Sequence, residues 1–319
     1  MSEPKITVII NNYNYGQFLK MAIDSVLEQT YPAHEIILVD DGSTDNSHDV
    51  AREYGNKIRF IPASNSGQAS TFNTGFKLST GDWIWFLDAD DILTPEALEE
   101  VAALARPGIS KIHGKLIMTD IDGELLGKIA PALPLSEGNV VCELEENGLY
   151  VWPPISGNAF PRSLLHACMP IPEEKFKRCV DLYLCNHAAL RGDIVATKKP
   201  VGYYRTHGSN HTHGQKLKST RLKNQALNII ATVDLLKELF SYREEFRFPY
   251  TRWHVETLLM AKRFSDCKDL ENYSYRDLYE KWKHTPQVAG EGMTEKAALK
   301  LRWVLMRYLP KSLTEKLIS

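Results

Sequence analysis

The chain has 319 residues, 43% hydrophobic and 24% charged, which is ordinary for a globular protein with a sizeable core. Residues 1–100 hold 16 acidic side chains against six lysines and arginines, whereas the remainder holds 24 against 32. The acidic first third argues against nonspecific nucleic-acid binding there and suits a metal site, and the basic remainder suits phosphates or an anionic surface.

Strands and helices are predicted to alternate through the first ninety residues, because apolar runs and apolar residues at helical spacing follow one another. The predicted strands are 6–10, 35–39, 58–61 and 83–87, and the predicted helices are 18–29, 47–54 and 68–79. Such βαβ units indicate an α/β fold with a mostly parallel sheet.

Two of these strands end in acids. The apolar run Trp83–Leu87 is followed by Asp88-Ala89-Asp90-Asp91, and the second strand ends in Asp40-Asp41. Acids at the carboxyl ends of parallel strands lie where open α/β sheets bind ligands. Two carboxylates in Asp-x-Asp can share a hard divalent cation, Mn²⁺ or Mg²⁺. The alternative is a strand end followed by a helix start near Thr94–Glu96, with Asp91 as a cap.

The rest of the chain is less regular. Proline-rich segments indicate loops, residues 156–160 indicate a short edge strand, and residues 181–190 indicate a helix. Beyond Asn210 the pattern becomes helical and polar, with a boundary near residue 212. The predicted domains are 1–212, divided into halves 1–100 and 101–212, and a helical C-terminal extension, 213–319.

The motifs of the first hundred residues resemble those of glycosyltransferase family 2, whose members have a GT-A fold. They are Val8–Asn14, Ser25–Pro32, Ile37–Asp45, Asn65–Gly67, Asn73–Gly75, Gly81–Asp82 and Asp88–Asp91, and more weakly Ser156–Asn158, Asp181 and Tyr203–His207. The resemblance implies transfer of a sugar from a nucleotide-sugar donor to an acceptor, with inversion at the anomeric carbon.

The resemblance also implies roles for the donor-side motifs. Asn11 and Tyr13 would hold the nucleobase by backbone contacts and ring stacking, and Asp41 would accept a hydrogen bond from the base. Gly67 and Asn73 belong to the implied donor site as well. The alternative for Asp41 is a turn in which its side chain bonds to its own backbone.

The remaining implied roles concern the metal and the chemistry. Asp88 would bind ribose hydroxyls or the metal, Asp90 would bind the metal directly, and His207 would be a third ligand. The cation would neutralise the leaving nucleoside diphosphate, and Arg205 would clamp phosphate. Asp181 would be the general base, or else a side chain that caps the following helix. The alternative for His207 is that it belongs to a flexible polar loop and binds no metal.

Two departures from the family pattern affect the prediction. Phe72 stands where members often carry arginine, so the diphosphate contacts must come from elsewhere. The Gln-x-x-Arg-Trp signature of processive members is absent, which favours a single addition, and we predict a UDP-sugar as donor. The predicted acceptor is a glycan or a lipid-linked saccharide, with Trp152 and Ser156–Asn158 as acceptor-side candidates; Trp152 could equally be core.

Other classes of protein remain as alternatives. A nucleotidyltransferase has a similar sheet and paired acids, but usually a basic, glycine-rich loop after its first strand, and Asn11–Gly16 has no basic residue. A catalytically inactive nucleotide-sugar-binding module is a further alternative. An oxidoreductase is disfavoured because no Gly-x-Gly-x-x-Gly follows the first strand.

The C-terminal segment 295–316 has six lysines and arginines against two glutamates, and its apolar residues fall on one helical side. This pattern predicts peripheral membrane contact, docking on the chain's own domain, or a dimer contact. Five cysteines without a Cys-x-x-Cys pair, and no predicted signal peptide or spanning helix, indicate a cytoplasmic protein, with peripheral attachment at the inner membrane face as the alternative. No nucleic-acid partner is predicted.

Overall fold

The fold is known from a computed structural model, which describes residues 3–176, 179–207, 219–241, 252–265, 268–271, 273–283 and 285. The chain divides into two compact units, Met1–Cys142 with Tyr150–His207, and Glu143–Leu149 with Gly208–Ser319. Within the described ranges, none of the helices combines the length and apolarity that crossing a bilayer requires. The boundary predicted near residue 212 and the amphipathic helix predicted at 295–316 lie outside the described residues.

The first unit contains two sheets. The strands are β1 (Ile6–Asn12), β2 (Glu35–Asp40), β3 (Arg59–Pro62), β4 (Trp83–Asp88), β5 (Ile92–Leu93), β6 (Ile109–His113), β7 (Leu116–Thr119), β8 (Leu125–Ala130), β9 (Asn158–Pro161), β10 (Asp193–Ala196) and β11 (Gly202–Arg205). The larger sheet has the order β10-β6-β9-β4-β1-β2-β3, and the smaller has the order β5-β11-β7-β8.

Helices cover the larger sheet and continue into the second unit. They are α1 (Gly16–Leu27), α2 (Ser47–Glu53), α3 (Gln68–Leu78), α4 (Ala97–Leu104), α5 (Val141–Asn147), α6 (Arg162–Cys168), α7 (Val180–Ala189), α8 (Ser219–Leu239), α9 (Arg252–Phe264) and α10 (Tyr275–Lys283). In the second unit α8 packs against α9, and α9 packs against α10.

The order of the central strands creates a crevice. β1 pairs in parallel with β2 on one side and with β4 on the other. The chain therefore winds outward from β1 in two directions, and ligands of such sheets bind at the carboxyl ends of the strands where the order reverses. Asn11 at the end of β1 is in register with Asp88 at the end of β4. The prediction of an α/β fold with a mostly parallel sheet is confirmed.

The short strand predicted at residues 156–160 is not an edge strand. β9 pairs antiparallel with both β4 and β6, so it lies inside the sheet. The polar Asn158 within this strand is fully buried, and its amide donates to the carbonyls of Pro153 and Pro154. A polar side chain whose hydrogen bonds are satisfied in this way can occupy a sheet interior.

Candidate active site

Three carboxylates lie together where β4 ends. Asp88, Asp90 and Asp91 each place one oxygen so that all three oxygens lie within 4.8 Å of one another. Asp88 is half-buried, whereas Asp90 and Asp91 are 8% and 2% exposed. Like charges this close disfavour one another in a buried setting, so the cluster is suited to a bound cation.

Asp88 is held by two amide side chains. Gln68 donates to Asp88 Oδ1 at 2.7 Å, and Asn11 donates to the same oxygen at 3.3 Å. Burial and the charge of Asp90 raise the pKa of Asp88 to about 7, and the two hydrogen bonds oppose this rise. Asp88 is therefore only partly ionised at neutral pH, and a bound cation would favour its ionised form.

Asp90 contacts His207 directly, since Nε2 of His207 lies 2.9 Å from Asp90 Oδ2. The imidazole is enclosed by two rings of the α1 region, with centroids 5.2 Å from that of Phe18 and 5.4 Å from that of Tyr15. The structure thus brings the predicted ligand His207 to the carboxylate cluster, although the residues are far apart in the chain.

Asp91 is linked to β11. The backbone N–H of Arg205 donates to Asp91 Oδ1 at 3.1 Å, while the buried Oδ2 of Asp91 makes no hydrogen bond within the described residues. Burial and the charges of Asp90 and Asp88 raise the pKa of Asp91 well above its ordinary value. Asp91 does not cap a helix, because β5 follows it.

The side chain of Arg205 is buried and supports the same turn. Its Nε donates to the carbonyl of Asp90 at 3.1 Å, and its Nη1 donates to the carbonyl of Ile121 at 2.8 Å. Its guanidinium lies 4.9 Å from the ring centroid of Phe18. These contacts support a role in holding the Asp90–Asp91 turn, and phosphate clamping by Arg205 stays a prediction.

Asp181 lies in the first turn of α7, two residues after the N-cap Cys179. Burial raises the pKa of Asp181, and the polar N–H groups of Leu182 and Trp152 oppose this rise. The charge of Asp181 also raises the pKa of Asp88. The structure therefore puts the predicted base within electrostatic reach of the cluster, with an aromatic side chain at its carboxylate.

Asp41 organises the loop before α3. Its two carboxylate oxygens accept from the backbone N–H groups of Ser66 and Gly67, at 2.7 and 2.8 Å. Gly67 has a φ of 95°, a conformation that favours glycine. The next residue is Gln68, which binds Asp88, so Asp41 reaches the cluster through this loop.

Two further predicted donor-site residues lie in the loop after β1 and in α3. The ring of Tyr13 is 45% exposed, which leaves a face free for stacking. The amide of Asn73 bonds to the backbone of Ile171 at 2.7 and 3.0 Å and to the carboxylate of Glu173 at 3.1 Å. Asn73 thus ties α3 to the loop that precedes α7.

Comparison with known proteins decides the family. Residues 7–110 match the sequence model described as glycosyl transferase family 2. An uncharacterised glycosyltransferase from Nostoc sp. is 32% identical over 308 residues, which cover 88% of this chain and 95% of that protein. This chain belongs to glycosyltransferase family 2. The resemblance inferred from its motifs is confirmed.

Solved structures share the fold of this glycosyltransferase. Residues 1–349 of S. aureus TarS, in complex with UDP, superpose with a TM-score of 0.52 and 18% identity over 88% of this chain and 89% of that one. The mannosyltransferase PcManGT from Pyrobaculum calidifontis, in complex with GDP-Man and Mn²⁺, superposes with a TM-score of 0.53 and 16% identity. The match covers 99% of this chain and 84% of that one. The predicted GT-A fold is confirmed.

The motifs did not point to every residue of this glycosyltransferase's site. Gln68 binds Asp88, yet it was not among the predicted residues; its place directly after Gly67 was the available signal. Ser156, predicted on the acceptor side, accepts from the backbone N–H of Asp88 at 3.1 Å. Its position thus contributes to the shape of the cluster.

Proposed function

We propose that this glycosyltransferase moves one sugar from a nucleotide-sugar donor, a UDP-sugar, to a glycan or a lipid-linked saccharide, with inversion at the anomeric carbon. The observation that carries the proposal is the gathering of Asp88, Asp90 and Asp91 within 4.8 Å, in electrostatic range of Asp181. A cation site and a separate carboxylate base are the two groups that such a transfer needs.

The three clustered acids fit a divalent cation. Asp91 Oδ2 is buried without a hydrogen bond in the described part of the chain, so it has a free acceptor for a metal. Burial and the mutual repulsion of the acids raise the pKa values of Asp88 and Asp91, and a cation would relieve the repulsion. Asp88, Asp90 and Asp91, with His207, would hold Mn²⁺ or Mg²⁺, which supplies the positive charge that stabilises a leaving diphosphate.

Asp181 is proposed as the base. It would take the proton of the acceptor hydroxyl while that oxygen bonds to the anomeric carbon and the bond to the diphosphate breaks. The N–H groups of Leu182 and Trp152 favour its ionised form, and the face of the Trp152 indole would pack against an acceptor sugar.

Donor recognition is proposed to use the loop after β1 and the loop before α3. The exposed ring of Tyr13 would stack on the nucleobase, next to Asn11 at the end of β1. Asp41 accepts one backbone N–H on each oxygen, which leaves lone pairs for a base N–H. Crystals of S. aureus TarS with UDP, and of PcManGT with GDP-Man and Mn²⁺, support a nucleoside diphosphate donor and a metal.

The donor class is tested by thermal unfolding with UDP, GDP, UDP-glucose, UDP-N-acetylglucosamine and GDP-mannose, each with and without Mn²⁺. A ligand present at a hundred times its Kd stabilises by about 2.7 kcal/mol, so we expect a shift of several degrees with UDP compounds that requires Mn²⁺. The Asp90→Asn variant should lose the shift, whereas Asp49→Asn, on the exposed face of α2, should keep it. If none of these nucleotides shifted the melting temperature, the result would contradict the proposed donor site.

The base is tested separately with Asp181→Asn. We expect this variant to lose transfer, measured as release of nucleoside diphosphate from the donor selected above, while it keeps the Mn²⁺-dependent shift. Retained turnover would show that Asp181 is not the base. No feature of the geometry favours a nucleotidyltransferase or an inactive module over this assignment.

A further inference from the structure

A lysine is buried in the larger sheet of the first unit, on the side of α7. Lys111 of β6 is 0% exposed. Its Nζ lies 3.5 Å from Sγ of Cys185 and 4.7 Å from the centroid of the Tyr150 ring. Among the described residues it forms no direct ion pair. Burying an ammonium in this way lowers the stability of the folded protein. A functional role would account for a lysine at this position.

The helix that contacts this ammonium also carries the proposed base. Cys185 and Asp181 are four residues apart in α7, and residues at this spacing lie on the same face of a helix. Lys111 therefore approaches the face from which Asp181 projects, one turn further along. The attraction between them opposes the effect of burial, which raises the pKa of Asp181.

The other titratable groups around Lys111 are neutral. Burial raises the pKa of the Cys185 thiol to about 11, so the thiol keeps its proton. Burial and the charge of Lys111 lower the pKa of His113 to about 2, so the imidazole stays uncharged. Burial lowers the pKa of Lys111 itself to about 8, which leaves it mostly protonated at neutral pH. Of these three groups, Lys111 is the one that carries a charge.

The charge of Asp88 works against ionisation of the base. Asp88 and Asp181 repel each other, and the repulsion raises the pKa of Asp88. A general base must be ionised before it can accept a proton from the acceptor hydroxyl. The charge of Lys111 lowers the pKa of Asp181 and so acts against the burial that raises it.

We propose that Lys111 is a positioning residue for the base: its buried ammonium, held by Cys185 and the Tyr150 ring, fixes the inner face of α7 and keeps the Asp181 carboxylate ionised. This inference rests on the proposed function, because it gives Lys111 a role through Asp181. Lys111 itself does not touch the substrates, and it acts by the charge and placement of its Nζ atom.

The test follows the Asp181 carboxyl directly, by ¹³C NMR of protein labelled at the aspartate carboxyl carbons, with the signal assigned by its loss in Asp181→Asn. The titration midpoint of Asp181 in Lys111→Met should rise above that of the unchanged protein, and each pH unit of rise is a tenfold loss of the ionised form at a given pH. Lys111→Arg keeps the charge and should leave the midpoint near that of the unchanged protein. Lys198→Met removes an exposed positive charge and should have no effect.

The outcomes separate this inference from the proposed function. An unchanged Asp181 midpoint in Lys111→Met, or an equal rise in Lys198→Met, would overturn the role of Lys111 whatever the activity of the protein. A raised midpoint together with full turnover by Asp181→Asn would instead remove Asp181 as the base and leave the electrostatic coupling intact. If both hold, the pH at which nucleoside diphosphate release becomes half-maximal should rise in Lys111→Met by the same amount as the midpoint.

Discussion

Replacing Lys111 with methionine should stabilise the protein near neutral pH, even though it weakens the proposed base. Burial lowers the pKa of Lys111 from its ordinary value of 10.5 to about 8. This difference of about 2.5 pH units, at about 1.36 kcal/mol per unit, means that keeping the ammonium buried at pH 7 costs about 3 kcal/mol. Methionine is unbranched and uncharged, and exchanging a buried charge for an apolar residue of similar volume is often stabilising.

The gain should disappear as the pH rises. Between pH 8 and 10.5 the unfolded chain binds the lysine proton more tightly than the folded protein does, so the stability of the unchanged protein increases with pH. The advantage of Lys111→Met should therefore fall below about 1 kcal/mol at pH 10.

Thermal unfolding followed by circular dichroism at pH 7 and pH 10 measures this effect. For a domain of this size, about 3 kcal/mol corresponds to a rise in Tm of roughly 6 to 12 °C at pH 7. Lys198→Met, at an exposed position, should change Tm little at either pH. A Lys111→Met variant that melts below the unchanged protein at pH 7 would refute the reasoning.

The carboxylate cluster gives three more predictions. Affinity for Mn²⁺, measured by calorimetry, should fall about tenfold from pH 8 to pH 6, because Asp88, with its pKa of about 7, must be deprotonated to bind metal; a flat profile would contradict this. His207→Ala removes the hydrogen bond to Asp90 and should weaken Mn²⁺ binding by about ten- to a hundredfold in the same assay. Asp41→Ala leaves the N–H of Gly67 unpaired and should weaken UDP binding about tenfold, whereas Asp49→Ala should not.

Local patterns suffice to predict the donor-side half of the fold. β1 and β4 are apolar runs that end in polar residues, and α1 buries the apolar side chains that recur at helical spacing. Each of these signals lies within a dozen residues of chain. The place of β9 could not be predicted this way, because its pairing with β4 and β6 joins segments far apart in sequence.

The same distinction applies to the candidate site. Asp88 and Asp90 lie at the carboxyl end of a strand, and such positions can be predicted from the sequence. The roles of Arg205 and Lys111 depend on what packs around them: the guanidinium binds two carbonyls from other parts of the chain, and the ammonium meets a thiol of α7. A single basic residue in a short strand carries no local signal of complete burial.

The interior position of β9 has a consequence for synthesis of the protein. When β1 to β4 have left the ribosome, the edge of β4 that later pairs with β9 still exposes backbone hydrogen-bonding groups, because β9 begins only at Asn158. Such an uncovered edge invites pairing with other chains. The contacts of Arg205 and His207 with the acids after β4 come later still. A nascent chain stopped near residue 110, where the family match ends, should therefore be prone to aggregate.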